Sequence, residues 1–202
     1  MRKVNHYFTT YMLKRCCLTN IILIYKNVPF RYNEDVEVRY MYCNTCGTKL
    51  IMKRDGIDGF VPFCMNCQTF KYPTFSDAIS SVIFSPDKKE ILLIQQYGRK
   101  DNVLVAGYVT KGENLETTLK REIEEEVHLE IERFMYNDNQ YYERTNTLIT
   151  NFMAVAKDKN FKLTGEVDQA QWFSVEDALK YIKPNSLAQH YLKEAICKID
   201  RL

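Results

Sequence analysis

Gly107-Tyr-Val-Thr-Lys-Gly112-Glu113-Asn-Leu115-Glu-Thr-Thr-Leu119-Lys-Arg121-Glu122-Ile123-Glu-Glu125-Glu126-Val127-His128-Leu129 is the stretch on which the fold turns. From Leu115 to Val127 it contains neither Gly nor Pro, and Leu115, Leu119, Ile123 and Val127 recur at every fourth position, the pattern of a helix with one buried face. On such a helix Glu122 lies one turn from both Glu125 and Glu126. Like charges at that spacing destabilise a bare helix by roughly 0.2–0.5 kcal/mol per pair, and a bound cation reverses the sign. Hard oxygen ligands suit Mg2+ or Mn2+, ions that keep several waters and bind substrate phosphates. Gly107 and Gly112 flank the preceding loop and give its backbone room to turn and approach a ligand. Glu113 sits near the helix start, where the helix dipole favours a carboxylate. The plain alternative for Glu124-Glu125-Glu126 is a solvated acidic helix face.

The whole stretch resembles the Nudix box, G-x5-E-x7-R-E-U-x-E-E-x-G-U with U aliphatic. It departs at His128, where that family carries Gly after the helix. His enters the left-handed region more readily than most side chains, so the departure bears on the helix end rather than on the chemistry.

Four cysteines form a second signal. Cys43-Asn-Thr-Cys46 and Cys64-Met-Asn-Cys67 are two C-x2-C knuckles 17 residues apart, a zinc-site spacing. Four thiolates make a closed tetrahedral site, which is structural rather than catalytic. No secretory signal with a cleavage site is evident, which predicts a cytoplasmic protein and disfavours disulfides. Between the knuckles, Lys49-Leu-Ile51 and Phe60-Val-Pro-Phe63 bracket Asp55-Gly56 and Asp58-Gly59, a short hairpin. Together these predict a zinc ribbon over residues 41–72, followed by a catalytic domain over 73–202.

A four-cysteine ribbon, then Lys71-Tyr72-Pro73, then the box is similar to the NADH pyrophosphatase branch of the Nudix hydrolases. Members of that branch split the diphosphate of NAD(H), and some remove NAD caps from RNA. The resemblance covers roughly residues 41–197. It implies an α/β/α sandwich with a small N-terminal zinc ribbon, Mg2+ or Mn2+ for catalysis and structural Zn2+. By position it implies Glu122 and Glu126 as metal ligands, with Glu125 beside them, the Ala106 carbonyl as a further ligand and Glu166 as a downstream acidic one. Arg121 would brace the loop through Glu113. Tyr72 and Ala188 fall where the family touches the nucleotide, although Ala188 equally suits simple helix packing. Related enzymes are often dimers, and nothing in this sequence fixes the assembly.

Members that prefer NAD(H) carry Ser-Gln-Pro-Trp-Pro-Phe-Pro-Gln-Ser after the box, where this chain has Asn139-Gln-Tyr-Tyr-Glu-Arg-Thr-Asn-Thr147. Gln140 is kept and Tyr142 stands in place of the Trp. An aromatic there can stack on a base or nicotinamide ring. Tyr141 and Tyr142 fit a strand or hairpin without substrate contact equally well.

The rest of the chain sets bounds. With 202 residues, 46% hydrophobic and 27% charged, it suits one compact domain plus a small module. A formal net charge of +2 argues against a strongly electrostatic nucleic-acid binder. Ala78 to Phe84 and Ile91 to Ile94 read as strands around the turn Ser85-Pro86-Asp87, with Val103 to Val105 as another leading into the box. Leu148 to Ala156 reads as a buried strand and Gln171 to Phe173 as a short one. Ser174 then caps a helix with Asp177 at its third position. A last helix from about Ser186 aligns Leu187, Tyr191, Ala195 and Ile199. His6, His128 and His190 lack ligand spacing, and Cys16, Cys17 and Cys197 read as free thiols.

Residues 1–40 fit neither module. Ile21-Ile-Leu-Ile-Tyr25 is too short to span a bilayer, which needs about 20 residues, so no membrane partner is expected. Met41 precedes the first zinc cysteine, and Val36-Glu-Val38 encoded as GUG GAG GUN would contain a ribosome-binding sequence. Much of this segment is therefore expected to be untranslated leader.

Metals would neutralise charge on a diphosphate and lower the pKa of a bound water, with Glu125 or Glu166 taking the proton. Three functions remain in view: an NAD(H)-type diphosphatase giving nicotinamide mononucleotide and AMP, acting on a small dinucleotide or on NAD-capped RNA; a Nudix enzyme for ADP-ribose, another dinucleotide or a nucleotide sugar; and a non-catalytic nucleotide- or RNA-binding module. The last predicts a degraded box, and this box is intact.

Overall fold

A computed structural model describes residues 41–202 apart from residue 57. The expectations for residues 1–40 lie outside the described residues. The chain divides into two compact units, with the boundary between Thr74 and Phe75.

The smaller unit is a three-stranded antiparallel sheet, β1 (Ile51–Asp55), β2 (Gly59–Cys64) and β3 (Thr69–Phe70), in that order. The hairpin pairs Ile51 with Phe63 and Asp55 with Gly59. Its turn passes through Gly56 and Gly59, whose φ angles of 44° and 79° are left-handed values that glycine adopts without a Cβ penalty. So small a unit buries little: a cluster of Cys43, Leu50 and Cys64, with Met41 and Cys67 packed alongside, and Val61, Pro62 and Phe63 of β2. A core this size needs a further constraint such as a metal.

The larger unit holds β4 (Ser76–Phe84), β5 (Glu90–Gln96), β6 (Val105–Tyr108), α1 (Leu115–Val127), β7 (Ile131–Tyr142), β8 (Thr147–Ala156), β9 (Val167–Ser174), α2 (Val175–Tyr181) and α3 (Leu187–Lys198). The mixed sheet runs β7-β8-β4-β5-β9, with β6 also paired to β4. Strand β4 is its axis. One edge lies parallel to β8 along its whole length, Ser76 against Thr147 to Phe84 against Val155. The other edge forks: Ala78 to Ser81 pair with β6, whereas only Ile83 and Phe84 pair with β5.

Alternation along β4 divides the core. Ile79 and Ile83 join Leu119, Ile123 and Val127 of α1 on one face, while Val82 and Phe84 join Ala178, Tyr191, Leu192 and Ala195 of α2 and α3 on the other. Helices on both faces of the sheet make an α/β/α sandwich. Full burial of Leu119, Ile123 and Val127, at about 1.5–3 kcal/mol for each such side chain, anchors α1 firmly enough to carry carboxyl groups on the buried flank beside them.

Polar side chains cap the helix starts. Asn114 accepts from the Thr117 amide, Ser174 from that of Asp177 and Ser186 from that of Gln189. His128 closes α1 with φ 50° and ψ 45° and donates its amide to the Glu124 carbonyl. Three elements differ from expectation, the first being β9, expected as a short strand over Gln171 to Phe173 and observed over Val167–Ser174. The strand entering the box begins at Val105, and Val103 forms only an isolated bridge to Ile94. The 12-residue strand β7 was not foreseen beyond Tyr141 and Tyr142. It is an edge strand with register shifts after Ile131 and after Tyr136, which reset its alternation. At the second shift Asn137 turns inward, donating to Asn151 Oδ1 and to the Tyr191 carbonyl.

His128→Gly tests the helix end. Removing a Cβ from a left-handed position is expected to stabilise the fold by about 0.5–1 kcal/mol, read as a higher urea midpoint at unchanged slope.

Candidate active site

Two carboxylates of α1 enter the fork of the sheet, because Glu122 and Glu126 lie on the same side of the buried Ile123 on the helix surface. Gly107 on β6 makes room for the first of them. A Cβ built at Gly107 would lie 1.8 Å from Glu122 Cδ, so the carboxylate occupies the space any other residue would fill. The glycine opening the box is thus required by a side chain of the same box. The sequence suggested instead that it gave the loop freedom to turn.

Arg121 organises the helix start. Its Nε donates to Glu113 Oε1 at 2.7 Å and its Nη2 to Glu113 Oε2 at 2.9 Å, a bidentate pair. Nη2 also reaches the Tyr108 carbonyl at 3.1 Å, and Nη1 donates to Glu122 Oε1 and Glu125 Oε2, both at 2.8 Å. Glu113 further accepts from the Thr110 amide and the Thr118 hydroxyl. The guanidinium, with these smaller contributions, holds Glu113 down at about 2. Arg121 is pushed up in turn, first by Glu113.

Glu126 is placed differently. It is 3% exposed. Its Oε1 accepts from Gln96 Nε2 at 2.6 Å, while its Oε2 is buried without a partner. Burial pushes it up to about 8, opposed by the Gln96 amide and reinforced by the charges of Glu122 and Glu166, with a smaller opposing contribution from the Ala106 backbone. Glu122 is raised as well, first by burial. Glu166, which precedes β9, therefore lies within electrostatic reach of both helix carboxylates. The carboxylates do not form a bare cluster: Arg121 engages Glu122 and Glu125, and Gln96 engages Glu126. Among the described residues, the four cysteines are the group already close enough to hold a metal ion.

An orphaned buried carboxylate oxygen flanked by two further acidic groups fits a divalent cation. Protonation or a positive charge from outside the fold is what relieves such a group. The residues facing this point are Glu122, Glu126, Glu166 and the Ala106 backbone.

The residues expected at the nucleotide separate into two sets. Gln140 on β7 pairs with Ile149, Ile149 with Ala78, and Ala78 with Tyr108, one row across the sheet. Ile149 and Ala188 both pack against the core beneath α2 and α3, so Ala188 serves at least as helix packing. Tyr142 lies two residues further along the same strand, paired with Thr147, while the Tyr141 hydroxyl donates to Asn146 Oδ1. Tyr108, 57% exposed at the other end of the row, was passed over in the sequence, where it is one of five unspecified residues of the box. Gln96 was missed too, since nothing in its local sequence marks it. Tyr72 belongs to the smaller unit, where its hydroxyl donates to Asp55 Oδ2 at 2.5 Å.

In that unit the Sγ atoms of Cys43, Cys46, Cys64 and Cys67 all lie within 4.8 Å of one another. The amides of Thr45 and Cys67 point at Cys43 and Cys64 sulfur. Thr48 beside it holds the Cys46 thiol down at about 5, while the Cys46 sulfur first pushes Cys67 up to about 12. Four sulfurs competing for protons in this way suit a thiophilic ion.

A forked mixed sheet crossed by an acidic helix, with a glycine opposite its carboxylates, defines a Nudix fold. The chain belongs to that family: the NUDIX domain matches residues 74–193. It is 30% identical over 164 residues to the NAD-capped RNA hydrolase NudC of Deinococcus radiodurans, covering 78% of this chain and 57% of that one. To the NAD-capped RNA hydrolase ndx-9 of Caenorhabditis elegans it is 31% identical over 151 residues, 69% of this chain and 39% of the other. The chain thus spans little more than half the length of the first relative and less of the second. A crystal structure of a Nudix hydrolase from Nitrosomonas europaea superposes with a TM-score of 0.57 at 18% identity, covering 80% of this chain and 93% of that one, a likeness of fold.

In metal-free protein, Glu126 keeps a proton up to about 8 that the unfolded chain releases near 4.5. The native state binds the extra proton in that window, so unfolding free energy is expected to fall as pH rises through it. Denaturant titrations in chelator between about pH 5 and 8 will show this slope, and Glu126→Gln will reduce it. Glu113 acts in the opposite sense, its contribution being lost only as pH falls from 4.5 toward 2.

Proposed function

We propose that this chain is a metal-dependent pyrophosphohydrolase that splits the diphosphate of NAD(H) into nicotinamide mononucleotide and AMP. One observation carries the reading: a buried Glu126 oxygen without a partner, beside Glu122 and Glu166 in the fork of the sheet. The names of the two similar proteins, NAD-capped RNA hydrolases, support the choice of NAD, whether free or as the cap of an RNA. The family resemblance, in which related enzymes are often dimers, adds the proposal of a homodimer.

Glu122, Glu126, Glu166 and the Ala106 carbonyl would hold Mg2+ or Mn2+, with Glu125 at the rim. When bound, such an ion neutralises phosphate charge and lowers the pKa of a coordinated water. The chain's own part is positional and acid–base. Arg121 fixes Glu113, Glu122 and Glu125 relative to one another. Glu125 or Glu166 takes the proton of a water that attacks one phosphorus; the bond from that phosphorus to the bridging oxygen breaks, and two monophosphates leave. Tyr108, Gln140 and Tyr142, on or next to one row of the sheet, offer two aromatic faces and an amide to a base or nicotinamide ring. Ala188 completes the set that the family resemblance implies within the larger unit.

A second reading, ADP-ribose or another dinucleotide or nucleotide sugar, is favoured by the segment 139–147. Where NAD-preferring members carry a proline-rich run, this chain has the end of β7 and a 3-10 turn, Glu143–Thr145. Incubation with Mg2+ or Mn2+ and NAD+, NADH, ADP-ribose or NAD-capped RNA, with product identification, separates the two. Turnover by Glu126→Gln is expected to fall by about 100-fold or more, since even outer-sphere partners of a metal are worth 10–100-fold. Wild-type levels in the variant would count against the assignment.

The smaller unit would take one structural zinc through Cys43, Cys46, Cys64 and Cys67. A reducing compartment such as the cytoplasm keeps these thiols available. Mercurial titration is expected to release one zinc per chain, and Cys64→Ser is expected to lower both zinc content and protease resistance of the unit.

A further inference from the structure

Strand β5 reaches the site through an irregularity. Gln95 pairs with Gln169, but the next pair joins Gln96 to Val167, so Asp168 has no opposite number. A bulge of this kind re-aims a side chain. Here it is pinned on its far side: Tyr97 and Gly98 follow with φ of 56° and 68°, and the Gly98 amide donates to Asp168 Oδ2 at 2.6 Å. The result brings Gln96 opposite the residue that follows Glu166 and within 2.6 Å of Glu126 Oε1.

We propose that Gln96 is a positioning residue for the cation site: it engages one oxygen of Glu126 and so fixes the other, Oε2, as the oxygen presented to the metal. The inference rests on the reading of these carboxylates as a cation site. Its support is geometric. The amide donates to Oε1 only, Oε2 is buried with no partner, and the donor lies on the strand that pairs beside Glu166. A neutral donor is the chemistry required. Lysine at this place would cancel the charge meant for the cation, and a second carboxylate would repel Glu126. The amide orients the ligand and leaves its full negative charge. Through the bulge one residue outside the box links two elements: its side chain engages Glu126 of α1, and its backbone pairs with Val167, next to Glu166.

Mn2+ binding to the full chain, followed by the electron paramagnetic resonance of the free ion, tests this without turnover. Gln96→Met keeps the length and removes the donor, and is expected to weaken Mn2+ binding by about 10–100-fold. Gln96→Asn keeps the amide but withdraws it by one methylene, and is expected to weaken binding in the same direction, which covers the case in which the first variant folds poorly. Unfolding midpoints in chelator accompany both: a merely structural role would lower the midpoint and leave Mn2+ affinity intact. Wild-type affinity in folded Gln96→Met or Gln96→Asn overturns the inference while the cation site stands. No Mn2+ binding by the wild-type chain overturns the cation site and the inference with it.

Discussion

The structure of the larger unit depends on burying two carboxyl groups of one helix at the fork of the sheet, one of them with an oxygen the fold leaves unmet. Glu126 is buried with one oxygen unmet, and Glu122 lies against the backbone of Gly107 in space that a methyl group would fill. Both are unfavourable in isolation, since an uncompensated buried polar group costs on the order of 1–3 kcal/mol, and more when charged. The fold tolerates them because the adjoining apolar face of the same helix is fully buried. Leu119, Ile123 and Val127 alternate with the acids by helical geometry alone, so the residues that anchor the helix also fix the direction of its charges.

Arg121 stabilises the remainder of the acidic surface. One planar guanidinium spans Glu113, Glu122, Glu125 and a main-chain carbonyl, which demands five donors in fixed directions and excludes lysine as an equivalent. By pairing with Glu113, Glu122 and Glu125 it leaves Glu126 and Glu166 as the acids of the site without a cationic partner among the described residues. Division of the acids into a braced set and an unbraced set is the electrostatic pattern expected where charge is reserved for a ligand.

Much of this was legible in the sequence because local rules governed it. The bounds of α1, its apolar face, the Ser174 cap and the tolerance of position 128 for left-handed backbone all follow from short-range spacing, whereas the Asn114 and Ser186 caps emerged only in the structure. The ribbon followed from cysteine arithmetic and its Asp-Gly turns. Strand β7 escaped because two register shifts interrupt its alternation, and an edge strand needs no continuous apolar run. Gln96 escaped for a different reason: its role comes from pairing between strands about 70 residues apart, and no window of sequence contains both partners. Gly107 was located correctly but for another cause, since the atom that excludes a side chain there belongs to Glu122, 15 residues later.

Between the end of β6 and α1, Glu113, Asn114 and Val109 are fixed through their side chains, whereas Tyr108 and Thr110 are engaged through their peptide groups. The Tyr108 carbonyl and the Thr110 amide are what Arg121 and Glu113 grasp, and neither contact reads the side chain that carries it. Those two positions can change side chain without disturbing the acidic helix behind them. Descendants of one scaffold could thereby acquire new aromatic or polar side chains at the mouth of the site, and with them new nucleotide preferences, while the hydrolytic apparatus is inherited unchanged.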